Sequence, residues 1–103
     1  ISFLIKDKSS GWELAPAYDL TYSAGVGYTR QHQMTVAGHG DDFTRDELIA
    51  VGKKFNIHNP GMIIDETVEI FSKWPALGEQ WGVQAEDRKR VAAGHRLYMA
   101  TSL

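Results

Sequence analysis

One stretch concentrates the residue types that could do chemistry: Trp12-Glu13-Leu14-Ala15-Pro16-Ala17-Tyr18-Asp19-Leu20. Trp12 and Leu14 alternate with Glu13, the period of a half-buried strand, and Pro16 has no amide to donate to a ladder. The strand should therefore stop at the proline and deliver Asp19 to the far side of a bend. An aspartate at a strand end, beside an aromatic and ahead of a glycine-rich loop, is well sited to hold a cation at a cleft edge. The same residue types also make an ordinary turn, in which the aspartate hydrogen-bonds its own backbone. Spacing alone leaves both readings open.

The elements that must position Asp19 can be read on either side of it. Phe3 and Ile5 alternate with Leu4 and Lys6, and Asp7-Lys8-Ser9-Ser10-Gly11 carries turn chemistry, so Ile1 to Ala15 reads as a β-hairpin. The chain opens directly in that strand pattern, from which we expect it to be a fragment whose feeding residues lie upstream. After Asp19, the stretch Thr21 to Tyr28 has no periodicity that would bury a face and reads as a loop. Its Gly25-Val26-Gly27 lacks the third glycine and following helix of a phosphate-cradling loop. Gln33 to Ala37 is expected to be a short strand, ended by Gly38-His39-Gly40.

Helices should follow. Thr44 with Glu47 makes a capping box, and Phe43 faces Leu48 as a hydrophobic staple. The buried stripe of this helix would be Leu48, Val51, Gly52 and Phe55, with Asn56 as a left-handed terminator. A second helix is expected from Asn59 as N-cap and Pro60 in the first turn. Its apolar residues, from Ile63 through Val68 and Phe71 to Trp74, form a face broad enough to pack between neighbours. Pro75 should kink the helix or restart it through Leu77, Gln80 and Trp81, and Gly82 should close it. The last segment, Gln84 to Leu103, should be helical with Val91, His95 and Tyr98 inward.

Composition narrows the function classes. A chain of 103 residues fits one domain, divided into a hairpin and aspartate-loop region over 1–40 and a helical region over 41–103. Eleven basic and 13 acidic residues give a net charge of -2, which carries no global signal for nucleic acid or anionic membrane. The absence of cysteine excludes disulfides and thiolate metal sites and agrees with a reducing cytosol. No run approaches ~18 uninterrupted apolar residues, so no membrane span is expected. His32, His39, His58 and His95 do not pair at metal-ligand spacing. Asp41 and Asp42 lack the alternation of a calcium loop and are expected to prepare the helix N-terminus at Thr44. Arg88-Lys89-Arg90 reads as a solvated helix face, and Trp12, Trp74 and Trp81 as core or interface anchors.

Taken together, the Ile1-Ser2-Phe3-Leu4 strand, the Leu-x-Pro-x-Tyr-Asp element of Leu14, Pro16, Tyr18 and Asp19, Met34 to Gly38, and Phe43-Thr44-Arg45 opening a helix that ends Lys53-Lys54-Phe55 resemble the C-terminal part of the HipA-like serine/threonine kinases. These are the toxin halves of bacterial toxin-antitoxin pairs. The likeness is dense to about Phe55 and is mostly helix pattern beyond it.

The resemblance implies that the element ending in Asp19 takes the place of the Asp-Phe-Gly segment of ordinary protein kinases. Asp19 would bind the Mg2+ that bridges the ATP phosphates, with Tyr18 packing under the metal site and Leu20 to Tyr28 near the protein substrate. The family's catalytic loop, nucleotide-covering loop, phosphate-pairing lysine and N-terminal lobe are missing, so no catalytic residue lies within this chain. The implied fold is mainly α with a small N-terminal β-hairpin (α+β), a fragment of a kinase-like C-lobe. The implied parent is a cytoplasmic kinase acting on a protein substrate, for which the family suggests an aminoacyl-tRNA synthetase. Its partner would be a HipB-like DNA-binding antitoxin, with DNA contacted only through it. The rival expectation is a non-catalytic helical interaction domain in which Asp19 is a turn residue.

Overall fold

The computed structural model describes residues 1–100. A two-stranded antiparallel hairpin, β1 (Phe3–Leu4) and β2 (Glu13–Leu14), precedes four helices: α1 (Arg45–Lys54), α2 (Pro60–Ser72), α3 (Trp74–Gln80) and α4 (Ala85–Ala93). The chain is thus mainly helical with a small sheet, as expected. In the hairpin Phe3 pairs with Leu14 and Leu4 with Glu13, and the Ala15 amide donates to the Ser2 carbonyl at 2.9 Å. Pairing ends at the next residue, Pro16, which has no donor. The turn is locked by Asp7, whose carboxylate accepts from the Ser9 hydroxyl at 2.6 Å and the Ser9 and Ser10 amides at 2.8 and 2.9 Å. Those bonds, the Ser9 hydroxyl first, hold the Asp7 carboxyl below its usual range.

The expected strand over Gln33 to Ala37 does not form. Among the described residues the segment forms a single bridge, Val36 to His39, closed around Ala37 and Gly38 at φ 52° and 88°. With both central residues left-handed this is a tight hairpin turn, and without a neighbouring strand the pairing goes no further.

α1 is capped as its sequence demands. The Glu47 amide donates to Thr44 Oγ1 at 3.3 Å while the Thr44 amide donates to Glu47 Oε2 at 2.8 Å. Its other end is a Schellman closure: Asn56 is left-handed at φ 56°, its amide reaches the Lys53 carbonyl at 3.0 Å, and the Ile57 amide reaches Gly52 at 2.9 Å. The same closure ends α3 at Gly82, where the Val83 amide reaches Gly78 at 2.8 Å. Phe55 departs from the expected stripe and is 69% exposed, because it sits at the C-cap where the chain is already leaving the helix. Asn59 does occupy the N-cap of α2, but its side-chain amide meets His58 Nε2 at 2.9 Å rather than capping. Pro75 separates α2 from α3 at Lys73, as a restart rather than a kink.

α4 stops at Ala93 instead of running on. Gly94 ends it, a 3₁₀ turn covers Leu97–Met99, and residues 101–103 lie outside the described residues. The inward stripe is broken accordingly: Val91 is buried and His95 half-buried, but Tyr98 is 70% exposed and Met99 is buried in its place. The buried apolar side chains among the described residues are Val68, Val91 and Met99. α2 packs on α1, α3 and the 3₁₀ turn, and α3 on α4, but Ile63, Ile70 and Phe71 remain exposed. The broad face of α2 is therefore only partly covered, contrary to expectation.

Arg45 ties the elements together. Its guanidinium donates to both Asp65 oxygens at 2.7 and 3.0 Å, to the Gly61 carbonyl at 3.2 Å and to the Met99 carbonyl at 2.6 Å. A planar five-donor fork can meet α2 and the C-terminal turn at once, which a lysine could not.

Candidate functional site

Beyond Pro16 the chain leaves the hairpin without regular secondary structure, and residues 16–21 are all exposed. Asp19 bends it. Its backbone is left-handed at φ 52° and its carbonyl accepts from the Thr21 amide at 2.9 Å. Aspartate and asparagine are found in this region several times more often than other residues with a Cβ. Among the described residues its carboxylate makes no hydrogen bond or ion pair. That departs from a turn aspartate that satisfies its own backbone. Tyr18 is 61% exposed here.

Among the described residues no three His, Asp or Glu side chains gather to hold a metal. A lone carboxylate fits magnesium nonetheless, because Mg2+ is commonly held through one or two carboxylates with the remaining ligands from phosphates and water. Asp19 could supply that single ligand.

The loop after Asp19 returns to the helical body at Tyr22. Its ring meets His95 edge-on at 6.1 Å between centroids, and His95 meets Phe71 at 5.2 Å and Trp74 at 6.2 Å. The loop then tightens into a 3₁₀ turn over Gly27–Arg30, where Thr29 Oγ1 donates to the Val26 carbonyl at 2.8 Å. A Cβ on Gly25 would stand 2.2 Å from Thr29 Oγ1, so this glycine serves close chain approach. Gly25-Val26-Gly27 leads into this four-residue 3₁₀ turn rather than an α-helix, so it lacks the helix N-terminus on which a nucleotide loop seats its phosphates.

Two recesses flank this loop. One, of about 390 Å³, is almost wholly apolar and runs between Tyr22, Leu48, Ile63, Phe71, His95 and Met99. The other, of about 410 Å³, is polar and is lined by Ser23, Thr29, Arg30, His32, Asp41 and Arg96. Asp41 is ion-paired with Arg96, whose guanidinium also lies 5.6 Å from the centroid of the Phe43 ring. That hydrogen bond is the first cause holding the Asp41 carboxyl below, and the Arg96 guanidinium above, its ordinary range. Asp41 thus braces the loop against the C-terminal turn instead of preparing the helix at Thr44.

The histidines have separate neighbours: His32 stacks near Phe43, His39 Nε2 lies 3.0 Å from Glu47 Oε1, His58 meets Asn59 and His95 the aromatics. Sequence reasoning missed Tyr22, Gly94 and the Asp41–Arg96 pair. Each depends on contacts between residues far apart in the chain, for which no local spacing gives a signal. No match was found among protein-family models, curated proteins or solved structures.

Proposed function

We propose that this chain is the C-terminal part of a HipA-like serine/threonine kinase and that Asp19 binds magnesium there. The observation that carries the reading is the Leu14-Ala15-Pro16-Ala17-Tyr18-Asp19 element, which leaves a short hairpin and presents an exposed carboxylate without a protein partner. Magnesium, when bound, would neutralise charge on the ATP phosphates during transfer of the γ-phosphoryl group to a serine or threonine hydroxyl. Within this chain Asp19 holds the metal, the hairpin aims Asp19, and the helices form the base beneath the loop. The base that takes the hydroxyl proton and the groups that cover the nucleotide belong to the upstream part of the parent, so the chain alone is inactive. The protein substrate, in this reading an aminoacyl-tRNA synthetase, would enter near the loop after Asp19. A HipB-like antitoxin would restrain the cytoplasmic parent and supply the contact to DNA. Among the described residues no helix is long and apolar enough to cross a membrane.

The deciding experiment is phosphate transfer from labelled ATP by the native full-length product, with and without magnesium. Asp19→Asn, which keeps shape and removes the charge, should lower transfer by about 100-fold or more. Undiminished transfer in a folded variant would remove Asp19 from the mechanism. The exposed apolar face of Ile63, Ile70 and Phe71 favours a second reading, a non-catalytic interaction domain, which predicts no magnesium-dependent nucleotide binding in the full-length product.

A further inference from the structure

Asp19 lies on a stretch, residues 16–21, in which every residue is exposed. A metal ligand on such a stretch needs a fixed point close by, because catalytic groups work within tolerances of about half an ångström. Three residues downstream, Tyr22 crosses to the helices. Its ring edge contacts His95, which Phe71 of α2 and Trp74 of α3 hold from two further sides. Its hydroxyl end lies over Gly94, where an added Cβ would stand 2.5 Å from Oη and 3.3 Å from Cζ. Gly94 has φ -87° and ψ -9°, a right-handed conformation open to any residue. The backbone therefore does not require glycine there. What the missing side chain provides is the seat for Tyr22.

We propose that Tyr22, seated on Gly94 and against His95, is the anchor that positions the Asp19 carboxylate toward magnesium. Tyr22 and Gly94 are positioning residues, neither touching the reacting atoms. The inference rests on the magnesium reading of Asp19 given above. It also separates the two ends of the contact: a methyl group at Gly94 must displace the phenol, and removing the phenol oxygen relieves the 2.5 Å clash, leaving ring carbons at 3.3 Å that need give by only a few tenths of an ångström.

The test uses the full-length product carrying Gly94→Ala, Tyr22→Phe, or both, with two readouts: the magnesium concentration giving half-maximal phosphate transfer, and the rate of chymotrypsin cleavage within residues 17–24. Gly94→Ala should raise the half-maximal magnesium concentration about tenfold, leave transfer at saturating magnesium within about twofold, and speed cleavage within 17–24 about tenfold. Adding Tyr22→Phe should return both readouts to within about twofold of the parent. A Gly94→Ala protein with both readouts unchanged would overturn the anchor. So would a double variant as impaired as the single one, which would place the defect at the end of α4. Should Gly94→Ala fail to fold, Tyr22→Ala at this half-exposed position must produce the same two changes or the anchor is wrong. If the unaltered protein transfers no phosphate, the magnesium reading fails, and the cleavage rate in the same variants decides the anchor alone.

Discussion

Among the described residues five other than glycine adopt left-handed backbone, Asp19, Ala37, Asp42, Asn56 and Asn59, and all but one have a side chain that tolerates it. The exception is Ala37. Placed first of the two central residues in the Val36–His39 turn, it bears a Cβ that crowds the following carbonyl at a cost of about 1–2 kcal/mol. Ala37→Asn would give the Asn-Gly pair that such turns favour and should raise stability by about 0.5–1 kcal/mol, read from the urea midpoint. A lowered midpoint would mean that Ala37 is not left-handed in solution. Asp41 gives a prediction in pH. Its carboxyl, normally near 3.8, is held lower in the fold by Arg96 and then by the Asp42 amide. A depressed folded value means that the pairing stabilises the protein above the unfolded pKa and is lost as pH falls through the folded one. The melting temperature of Asp41→Asn should therefore trail the parent most above the ordinary carboxyl value of 3.8, and the gap should close as pH falls progressively below it. A gap independent of pH would show that the carboxylate charge does not contribute. At this scale Asp19 could be singled out in the sequence because its neighbours spell a strand, a proline and a bend. Tyr22 could not, since its meaning lies in Gly94 and His95 at the other end of the chain.

The helices were legible wherever their ends carry their own chemistry. The Thr44–Glu47 box, the left-handed Asn56, the restart at Pro75 and the closure at Gly82 all fall where the sequence puts them. Expectation failed where neighbours decide: a strand over 33–37 had no partner to pair with, and α4 gave way at Gly94 to a 3₁₀ turn. Gly52 shows the same division. Its helical position favours alanine by about 1 kcal/mol on propensity, yet an added Cβ would lie 2.5 Å from Pro60 Cβ, the first residue of α2. Proline cannot swing aside as a long side chain would, and forced overpacking typically costs about 1–3 kcal/mol. The steric term should win. Gly52→Ala is expected to lower the urea midpoint by the equivalent of about 1 kcal/mol or more, while Gly82→Ala would report instead on a left-handed closure at φ 73°. A more stable Gly52→Ala protein would mean that α1 and α2 stand further apart than this structure has them.

For the molecule as a whole, burial is sparse for the chain length. A compact monomer of 11.5 kDa has an accessible surface of about 5,800 Å² and a radius of gyration near 13 Å. This chain has 8859 Å² and 16.7 Å, with extents of 52 × 30 × 30 Å. The excess of about 3,000 Å² exceeds the roughly 800 Å² that one partner contributes to a standard interface. Much of the exposed apolar surface is on the hairpin, where Phe3, Trp12 and Leu14 are 59, 71 and 68% exposed, and a two-stranded hairpin without a third strand or covering helix is marginal in water. The helical part has its own ties, the four bonds of Arg45 foremost, and the loop carrying Asp19 has Tyr22 and the Asp41–Arg96 pair. The isolated 103-residue chain should accordingly bind a hydrophobic dye such as ANS and unfold in urea with a slope below about 1 kcal/mol/M. The hairpin amides should exchange with solvent well before those of α1 and α2, because their bonds are the least covered. A sharp transition with ordinary slope, no dye binding and uniform protection would show that the hairpin and the aspartate loop fold against the helices more closely than this structure places them. In that case the anchoring of Asp19 would be shared by surfaces beyond Tyr22.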